Sequence, residues 1–236
     1  MTLKPARLQW SENGDLESLD YGDVYFQRGS AFAESDYVFL QHNNLPARFA
    51  ALGGESFHIA EMGFGTGLNF LRAATLFLST APAGARLVFT SIEKHPITPE
   101  MLAQVYAHFS AQAPEMAALC AGILAQYPPL IEGFHTLLLA EGCIRLTLCF
   151  GEAANCLPQI SGLFDAWFLD GFSPAKNPDM WHEALFPLIA ARTRGGGTLA
   201  SFSVAGHMRR ALAALGFDVR KEKGFGIKWS MTAARK

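Results

Sequence analysis

The chain has 236 residues, of which 50% are apolar and 17% charged, and its formal net charge at pH 7 is −2. This composition can build one sizeable core and excludes a disordered chain. No apolar run approaches the ~20 residues that a membrane helix needs. The first 15 residues show no apolar stretch typical of a signal peptide, so the sequence predicts a cytoplasmic protein without a membrane partner.

Charge is distributed unevenly along the chain. Residues 1–206 hold 11 Lys and Arg against 19 Asp and Glu, whereas residues 207–236 hold 8 against 2. A basic end can mark a nucleic-acid contact, although the charge alone favours a solvated helix face and hairpin. The cysteines lack C-x-x-C spacing and zinc-finger histidines, so no metal site is predicted and reduced thiols are expected. They are Cys120, Cys143, Cys149 and Cys156.

The N-terminal segment is predicted to be a small β extension packed on the main domain. Asp23–Phe26 and Tyr37–Leu40 are apolar runs between polar and glycine residues, which is typical of short strands. The first strong strand-to-helix signal comes only near Ser56. We therefore divide the chain into an extension, residues 1–55, and a main domain, residues 56–236.

Strands alternate with helices through the main domain. This order predicts an α/β fold with a mostly parallel, Rossmann-like sheet and a terminal antiparallel hairpin. Buried strands are predicted at 57–60, 86–92, 164–169 and 196–202, and hairpins at 135–150 and 217–234. Helices are predicted at 68–78, at 99–125 with a break at Pro114, and around 208–215, where Gly216 ends the helix.

A glycine-rich loop follows the first predicted strand and opens a helix. Gly63, Gly65 and Gly67 permit a tight turn and close approach of a ligand to the backbone. The spacing is G-x-G-x-G, not the G-x-G-x-x-G of dinucleotide sites. Glu61 precedes the loop, and its carboxylate would repel a pyrophosphate but suit a cationic amino group. These features favour S-adenosylmethionine over a nicotinamide cofactor.

Acidic residues follow the other predicted strands. Glu93 could accept hydrogen bonds from ribose hydroxyls, and Glu152 could receive an adenine amino group. Asp170 ends the strand 164–169 and is our candidate catalytic residue, since a carboxylate there could orient an attacking amine and take up its proton. Since carboxyl ends of parallel strands share one edge of the sheet, we expect these acids to gather there.

The stretch after Asp170 is rich in turn-forming and aromatic residues. Gly, two Pro and Asn predict a stiff, non-helical loop. Phe172 could form an aromatic wall, Trp181 is as readily a core residue as a wall, and Lys176 could contact phosphate or merely be solvated.

Three runs together resemble the methyltransferase domain of the MnmC family. They are EMGFGTGLNF (61–70), DAWFLDGFSPAKNPDMW (165–181) and GFGIKWSM (224–231), and the N-terminal runs DVYF and YVFL also fit. The resemblance implies a class I, S-adenosylmethionine-dependent transferase for tRNA modification. Such an enzyme methylates the 5-aminomethyl group of 5-aminomethyl-2-thiouridine at the wobble position. Glu152 stands where the family pattern has Asp.

The resemblance also implies partners and a set of site residues. The partners are tRNA and an FAD-dependent oxidoreductase domain. This domain is either fused to the present chain in a longer protein or is a separate protein. Donor-binding candidates are Glu61, Gly63, Phe64, Gly65, Thr66, Gly67, Asn69, Glu93, Lys94, Gly151, Glu152 and Asp170. Substrate-binding candidates are Tyr25, Phe26, Phe172, Ser173, Lys176, Asn177, Arg209, Arg210 and Lys228.

Other functions remain open from the sequence. They are a nicotinamide-dependent oxidoreductase, a small-molecule N-methyltransferase and a non-catalytic tRNA-binding module. Binding of S-adenosylmethionine but not NAD would exclude the first, and turnover would exclude the last.

Overall fold

The N-terminal part of the chain forms a small sheet followed by helices, in a computed structural model that describes residues 3–26, 29–226 and 228–236. The antiparallel sheet comprises β1 (Leu8–Trp10), β2 (Leu16–Ser18) and β3 (Asp23–Phe26). It is followed by α1 (Ala31–Ser35), a π-helical segment (Asp36–Gln41) and α2 (Leu45–Ala50).

The main domain is built on an eight-stranded sheet in the order β10-β11-β9-β8-β4-β5-β7-β6. The five central strands β9, β8, β4, β5 and β7 are parallel, and the outer strands pair antiparallel. The strands are β4 (Ser56–Met62), β5 (Arg86–Glu93), β6 (Gly133–Leu139), β7 (Ile144–Phe150), β8 (Phe164–Leu169), β9 (Thr193–Ser201), β10 (Asp218–Lys223) and β11 (Ser230–Arg235).

Helices connect the strands of the main domain. Pro114 separates two of them because its ring cannot continue the hydrogen bonding of the first helix. The helices are α3 (Leu68–Thr80), α4 (Pro99–Gln112), α5 (Ala117–Gln126), α6 (Ala153–Cys156), α7 (Leu185–Ala191) and α8 (Gly206–Ala214).

Two apolar clusters make up the core. Neighbouring residues of β8 belong to different clusters: Phe168 packs with Phe89 in one, and Trp167 packs with Phe164 in the other. A strand covered on both faces is mostly apolar, and this explains the four consecutive buried residues AWFL (166–169) of β8. The carboxyl ends of β4, β5 and β8 are thereby fixed at one edge of the sheet.

The Rossmann-like fold, the parallel strands, the hairpin β6–β7 and the break at Pro114 are confirmed. One predicted element is wrong: residues 37–40 are π-helical instead of a strand. Val38, Phe39 and Leu40 are buried one after another, and such a short apolar run does not distinguish a buried helix from a buried strand. The boundary between an extension and a main domain at residue 55 stays a prediction.

The four cysteines are free thiols in the structure. Within residues 3–26, 29–226 and 228–236, no helix is long and apolar enough to cross a membrane.

Candidate active site

A cavity of about 360 Å³ opens at the carboxyl edge of the parallel strands. The loops after β4, β5 and β8 form its floor, and residues from 21–26 and 31–39 together with Lys228 form its sides. Ligands of open α/β sheets bind at this edge, and the volume is within the range of small-molecule sites.

The glycine loop lies against the cavity and needs its glycines. Gly63, Gly65 and Gly67 have φ values of 89°, 52° and 74°, which L side chains rarely adopt. A Cβ on Gly67 would lie 2.6 Å from the Phe64 ring, and one on Gly65 would lie 3.2 Å from the Tyr25 ring. The loop therefore brings backbone close to whatever occupies the cavity.

Glu93 lines the cavity at the end of β5. One carboxylate oxygen accepts a hydrogen bond from the Gly65 N–H at 2.8 Å, and the other accepts one from the His95 N–H at 2.7 Å. These two bonds fix the carboxylate beside the glycine loop. Each oxygen keeps lone-pair capacity, so the pair can also accept hydrogen bonds from neighbouring hydroxyls of a diol.

Glu61 lies beneath the cavity and is not one of its lining residues. It is only 1% exposed, and its oxygens accept hydrogen bonds from the Ser91 hydroxyl at 2.7 Å and the Asn69 amide at 3.1 Å. Burial raises its pKa well above the usual value, so the neutral form is favoured. β4 continues to Met62, so Glu61 is a strand residue, and its contact with a donor stays a prediction.

Asp170 follows β8 and lines the cavity. It accepts hydrogen bonds from the Asn69 amide at 2.6 Å and from the Gly171 N–H at 2.8 Å. Removal from water raises its pKa to about 6, against the opposing effect of these two donors. The Asn69 carbonyl oxygen accepts a hydrogen bond from Ser35 at 2.7 Å. Asn69 therefore connects Glu61, Asp170 and α1.

Glu152 lies farther out than predicted. Its carboxylate is 2.6 Å from the Lys94 ammonium, is half-exposed and is not among the residues lining the cavity, although Lys94 is. The neighbouring Gly151 also lies outside the lining, packed so that a Cβ would be 3.2 Å from the Cys156 sulfur. This ion pair borders the site on the β7 side.

Aromatic rings form one wall of the cavity. Phe172 stacks on Tyr21 at 4.5 Å between centroids and meets Tyr25 edge-on at 5.0 Å. Trp181 is a core residue, and its indole N–H donates to the Phe172 carbonyl at 2.9 Å. These rings offer apolar surface on which a planar heterocyclic base can stack.

Lys176 and Lys228 hold the wall together. The Lys176 ammonium donates to the Gly22 carbonyl at 2.5 Å and lies 3.3 Å from the Asp23 carboxylate, so it joins the loop after β8 to the N-terminal sheet. The Lys228 ammonium is paired with Glu34 beside the cavity. Both cations thus have protein partners.

The cavity unites most of the predicted site residues. Those lining it are Tyr25, Phe26, Gly63, Phe64, Gly65, Thr66, Asn69, Glu93, Lys94, Asp170, Phe172, Ser173, Asn177 and Lys228. Those outside the lining are Glu61, Gly67, Gly151, Glu152, Lys176, Arg209 and Arg210. The two arginines lie on α8.

Several lining residues were not identified from the sequence. The polar or aromatic ones are Tyr21, Asp23, Glu34, Ser35, Phe39, His95 and Phe202. Tyr21 had a usable signal, because it precedes β3 by two residues in the same aromatic cluster as Tyr25. Glu34 and Ser35 had none, since their segment was interpreted as a loop between two strands.

This arrangement is suited to a donor with a ribose and a cationic centre. Carboxylates dominate the floor, and the glycine loop supplies close backbone contacts without a phosphate-binding cluster of cations. Asp170 can accept a hydrogen bond from an amine at the place where the floor meets the aromatic wall. The fold and site thus define a class I methyltransferase that uses S-adenosylmethionine.

Comparisons with known proteins agree. A family model described as S-adenosyl-L-methionine-dependent methyltransferase matches residues 114–236, and the chain belongs to this family. It is 50% identical over 229 residues to the tRNA 5-methylaminomethyl-2-thiouridine biosynthesis bifunctional protein MnmC of Chromobacterium violaceum, covering 97% of this chain and 34% of that protein. The identity to the protein of the same name from Aeromonas salmonicida is 46%, covering 100% and 36%.

The fold also matches a solved structure. The crystal structure of MNMC2 from Aquifex aeolicus superimposes with a TM-score of 0.73 at 24% identity, covering 98% of this chain and 70% of that one. The chain spans about a third of the length of the curated relatives that it matches.

Proposed function

We propose that this protein methylates the exocyclic amine of 5-aminomethyl-2-thiouridine at the wobble position of tRNA and forms 5-methylaminomethyl-2-thiouridine. The name of the relatives contains 5-methylaminomethyl-2-thiouridine, which supports the proposed product. Their high identity over nearly the whole chain supports methyl transfer as the shared reaction. The observation that carries the proposal is Asp170, a hydrogen-bonded carboxylate between the glycine loop and an aromatic wall.

The donor side of the proposed site is the floor of the cavity. Glu93 would accept hydrogen bonds from the ribose hydroxyls, the glycine loop 63–67 would contact the donor through backbone, and Lys94 with Glu152 would border its adenine. When bound, S-adenosylmethionine supplies an electrophilic methyl group, whose carbon–sulfur bond breaks as a carbon–nitrogen bond forms. Glu61 acts indirectly in this proposal, by fixing Asn69.

The acceptor side is the space between Asp170 and the aromatic wall. An amine attacks only through a free lone pair, so it must arrive without its extra proton. Ionised Asp170 accepts a hydrogen bond from one remaining N–H and thereby orients the lone pair. Once methylated, the nitrogen is cationic and releases a proton to Asp170 or to water.

The aromatic wall would hold the modified base. Phe172 and Tyr25 offer ring faces and edges beside Asp170, and a wobble base turned out of its loop could stack on them. Burial raises the pKa of Tyr25, so its hydroxyl stays protonated and can donate a hydrogen bond to the base. Ser173 and Asn177 add polar groups at the same wall.

The proposed partners are tRNA and an FAD-dependent oxidoreductase that supplies the amine by removing a carboxymethyl group. The basic residues 207–236 would contact RNA phosphates, and this contact would weaken with salt. The word bifunctional in the relatives' name is consistent with a second activity outside the matched third of their length.

The test is methyl transfer from labelled S-adenosylmethionine to an anticodon stem-loop that carries 5-aminomethyl-2-thiouridine at the wobble position. We expect labelled 5-methylaminomethyl-2-thiouridine after nucleoside digestion, and no label in a matched stem-loop with unsubstituted 2-thiouridine. Calorimetry shows in parallel that the donor binds. Donor binding without any transfer to the aminomethyl stem-loop would refute the proposed function. Equal transfer to the free nucleoside would favour a small-molecule N-methyltransferase.

A further inference from the structure

Trp229 is the large apolar side chain most accessible to solvent among the described residues. It is 95% exposed, and the next, Leu138, is 57% exposed. The other tryptophans differ sharply, since Trp167 and Trp181 are buried and Trp10 is half-buried. Exposure of a complete indole is costly in water, and tryptophan is enriched at binding interfaces because its ring is apolar while its N–H is polar.

The strand register places Trp229 at the same edge of the sheet as the candidate active site. It directly precedes β11, in which Thr232 pairs with Ser201 near the end of β9. β9 is parallel to β8, whose carboxyl end leads to Asp170. The preceding residue, Lys228, lines the cavity itself. The backbone of Trp229 is therefore adjacent to the cavity instead of on a remote face of the fold.

Two exposed lysines lie on β10, the strand that pairs with β11 beside this tryptophan. Lys223, at the end of β10, is exposed and pairs in register with Ser230, next to Trp229. Lys221 is exposed on the same strand. An exposed aromatic side chain among lysines is the arrangement with which proteins bind single-stranded RNA, because rings stack on bases while cations contact phosphates. Exposed cations favour a polyanion over an apolar protein surface as the partner.

We propose that Trp229 stacks on a nucleobase of the RNA loop next to the nucleotide held in the cavity. This inference rests on the proposed function and adds a residue that selects RNA over a free nucleoside. Stacking on one neighbouring base would keep the loop open while the target base occupies the aromatic wall. Lys223 would contact the phosphate backbone beside it.

The experiment measures binding of the aminomethyl anticodon stem-loop to wild type, Trp229→Ala and Trp229→Phe. We expect Trp229→Ala to raise the Kd for RNA about tenfold, within the range measured for loss of one base stack. Trp229→Phe keeps a ring and should remain within about threefold of wild type. The Kd for S-adenosylmethionine should not change in either variant. Leu138→Ala, on the edge strand β6, is the matched control and should bind RNA as wild type does.

Abasic stem-loops identify the stacked base. One base at a time is removed from the loop, and wild type is compared with Trp229→Ala on each RNA. When the missing base is the one that Trp229 stacks on, next to the target nucleotide, Trp229→Ala should not weaken RNA binding further. The base that the indole would contact is already absent from that RNA. RNA should also quench tryptophan fluorescence in wild type but much less in Trp229→Phe.

Equal RNA affinity of wild type and Trp229→Ala would overturn the inference and leave the indole as a contact for a protein partner. A loss that is the same with every abasic RNA would overturn it too. Neither result affects the proposed function, which fails only if wild type transfers no methyl group to the stem-loop.

Discussion

The floor and the wall of the cavity are built in different ways. The floor, defined as residues 63–67 with Glu93 and Asp170, lies at the carboxyl ends of adjacent parallel strands. Its carboxylates accept short hydrogen bonds from backbone N–H groups and from the Asn69 amide. The wall, defined as Tyr21, Tyr25, Glu34, Phe172 and Lys228, combines distant segments through ring contacts and exposed ion pairs.

This difference separates two tasks. Atoms held by the sheet cannot move far, so the floor suits the chemical step, which requires fixed geometry. Surface ion pairs such as Lys176–Asp23 contribute little individually, so the contacts that hold the wall are weaker than those that hold the floor. Changes in the floor should therefore affect kcat or donor binding, and changes in the wall should affect RNA binding.

The largest effect is expected for Asp170→Asn. The amide offers one acceptor oxygen to two donors and no charge to the amine, so kcat should fall about 10²–10³-fold. The variant should still bind S-adenosylmethionine within about threefold of wild type. Asp179→Asn, on the exposed end of the same loop, is the control and should stay active. Wild-type kcat in Asp170→Asn would remove this carboxylate from the mechanism.

Thermal unfolding tests whether the loss of kcat in Asp170→Asn comes from the chemical step and not from a destabilised fold. The folded-state pKa of Asp170, about 6, lies above its ordinary value of 3.8, so the folded chain binds this proton more tightly than the unfolded chain. Its contribution to stability is therefore full below about pH 4 and lost as pH rises through 6. The neutral variant should be no less stable than wild type at pH 8.

Gly67→Ala tests the floor from the backbone side. The new Cβ would meet the Phe64 ring at 2.6 Å and the Tyr106 hydroxyl at 2.9 Å, at a φ of 74°. We expect more than tenfold weaker donor binding by calorimetry and a loss of stability above the ~1–2 kcal/mol of the backbone strain alone. Gly84→Ala has a similar φ of 87° and no atom within 4 Å, so it shows that strain without the clash. Equal effects of both variants on donor binding would contradict the close packing of the loop.

Glu93→Gln and Glu152→Gln compare the two outer acids. Glu93 lines the cavity with both oxygens fixed, so its amide variant should weaken donor binding about tenfold. Glu152 is half-exposed and paired with Lys94, and its variant should weaken binding less than threefold. Calorimetry with S-adenosylmethionine measures the donor affinity of both variants. A larger loss for Glu152→Gln than for Glu93→Gln would show that the donor lies closer to β7 than this site implies.

Lys176→Met tests the wall and should have the smallest effect. It removes the bonds between the loop after β8 and the N-terminal sheet, so the KM for the RNA stem-loop should rise about threefold while kcat stays within twofold. Lys4→Met removes a comparable exposed ion pair, with Asp20, and should change neither constant. A large fall in kcat for Lys176→Met would mean that the wall also fixes the reacting atoms.

The same division explains what the sequence could predict. The two strands that lead to Glu93 and Asp170 are mostly apolar, and an acid stands at the carboxyl end of each. Parallel topology places those acids together, so the floor followed from local pattern. The wall depends on contacts such as Lys228–Glu34, which are 194 residues apart, and no local pattern encodes them. The burial of Glu61 did not follow from the sequence, because the predicted strand ended at residue 60 whereas β4 continues to Met62.

The pH dependence of kcat tests the central claim most directly, because it reports the ionisation of Asp170 during turnover. With saturating RNA and donor, neutral amine becomes scarcer as pH falls, since primary amines titrate well above 7. Below about pH 6, protonation of Asp170 should make the fall in kcat steeper. The slope of log kcat against pH should increase from about one to about two. Asn69→Ala removes a hydrogen bond that lowers this pKa, so its break should lie at higher pH. A constant slope through pH 6 in wild type, or an unmoved break in Asn69→Ala, would contradict the assignment of Asp170.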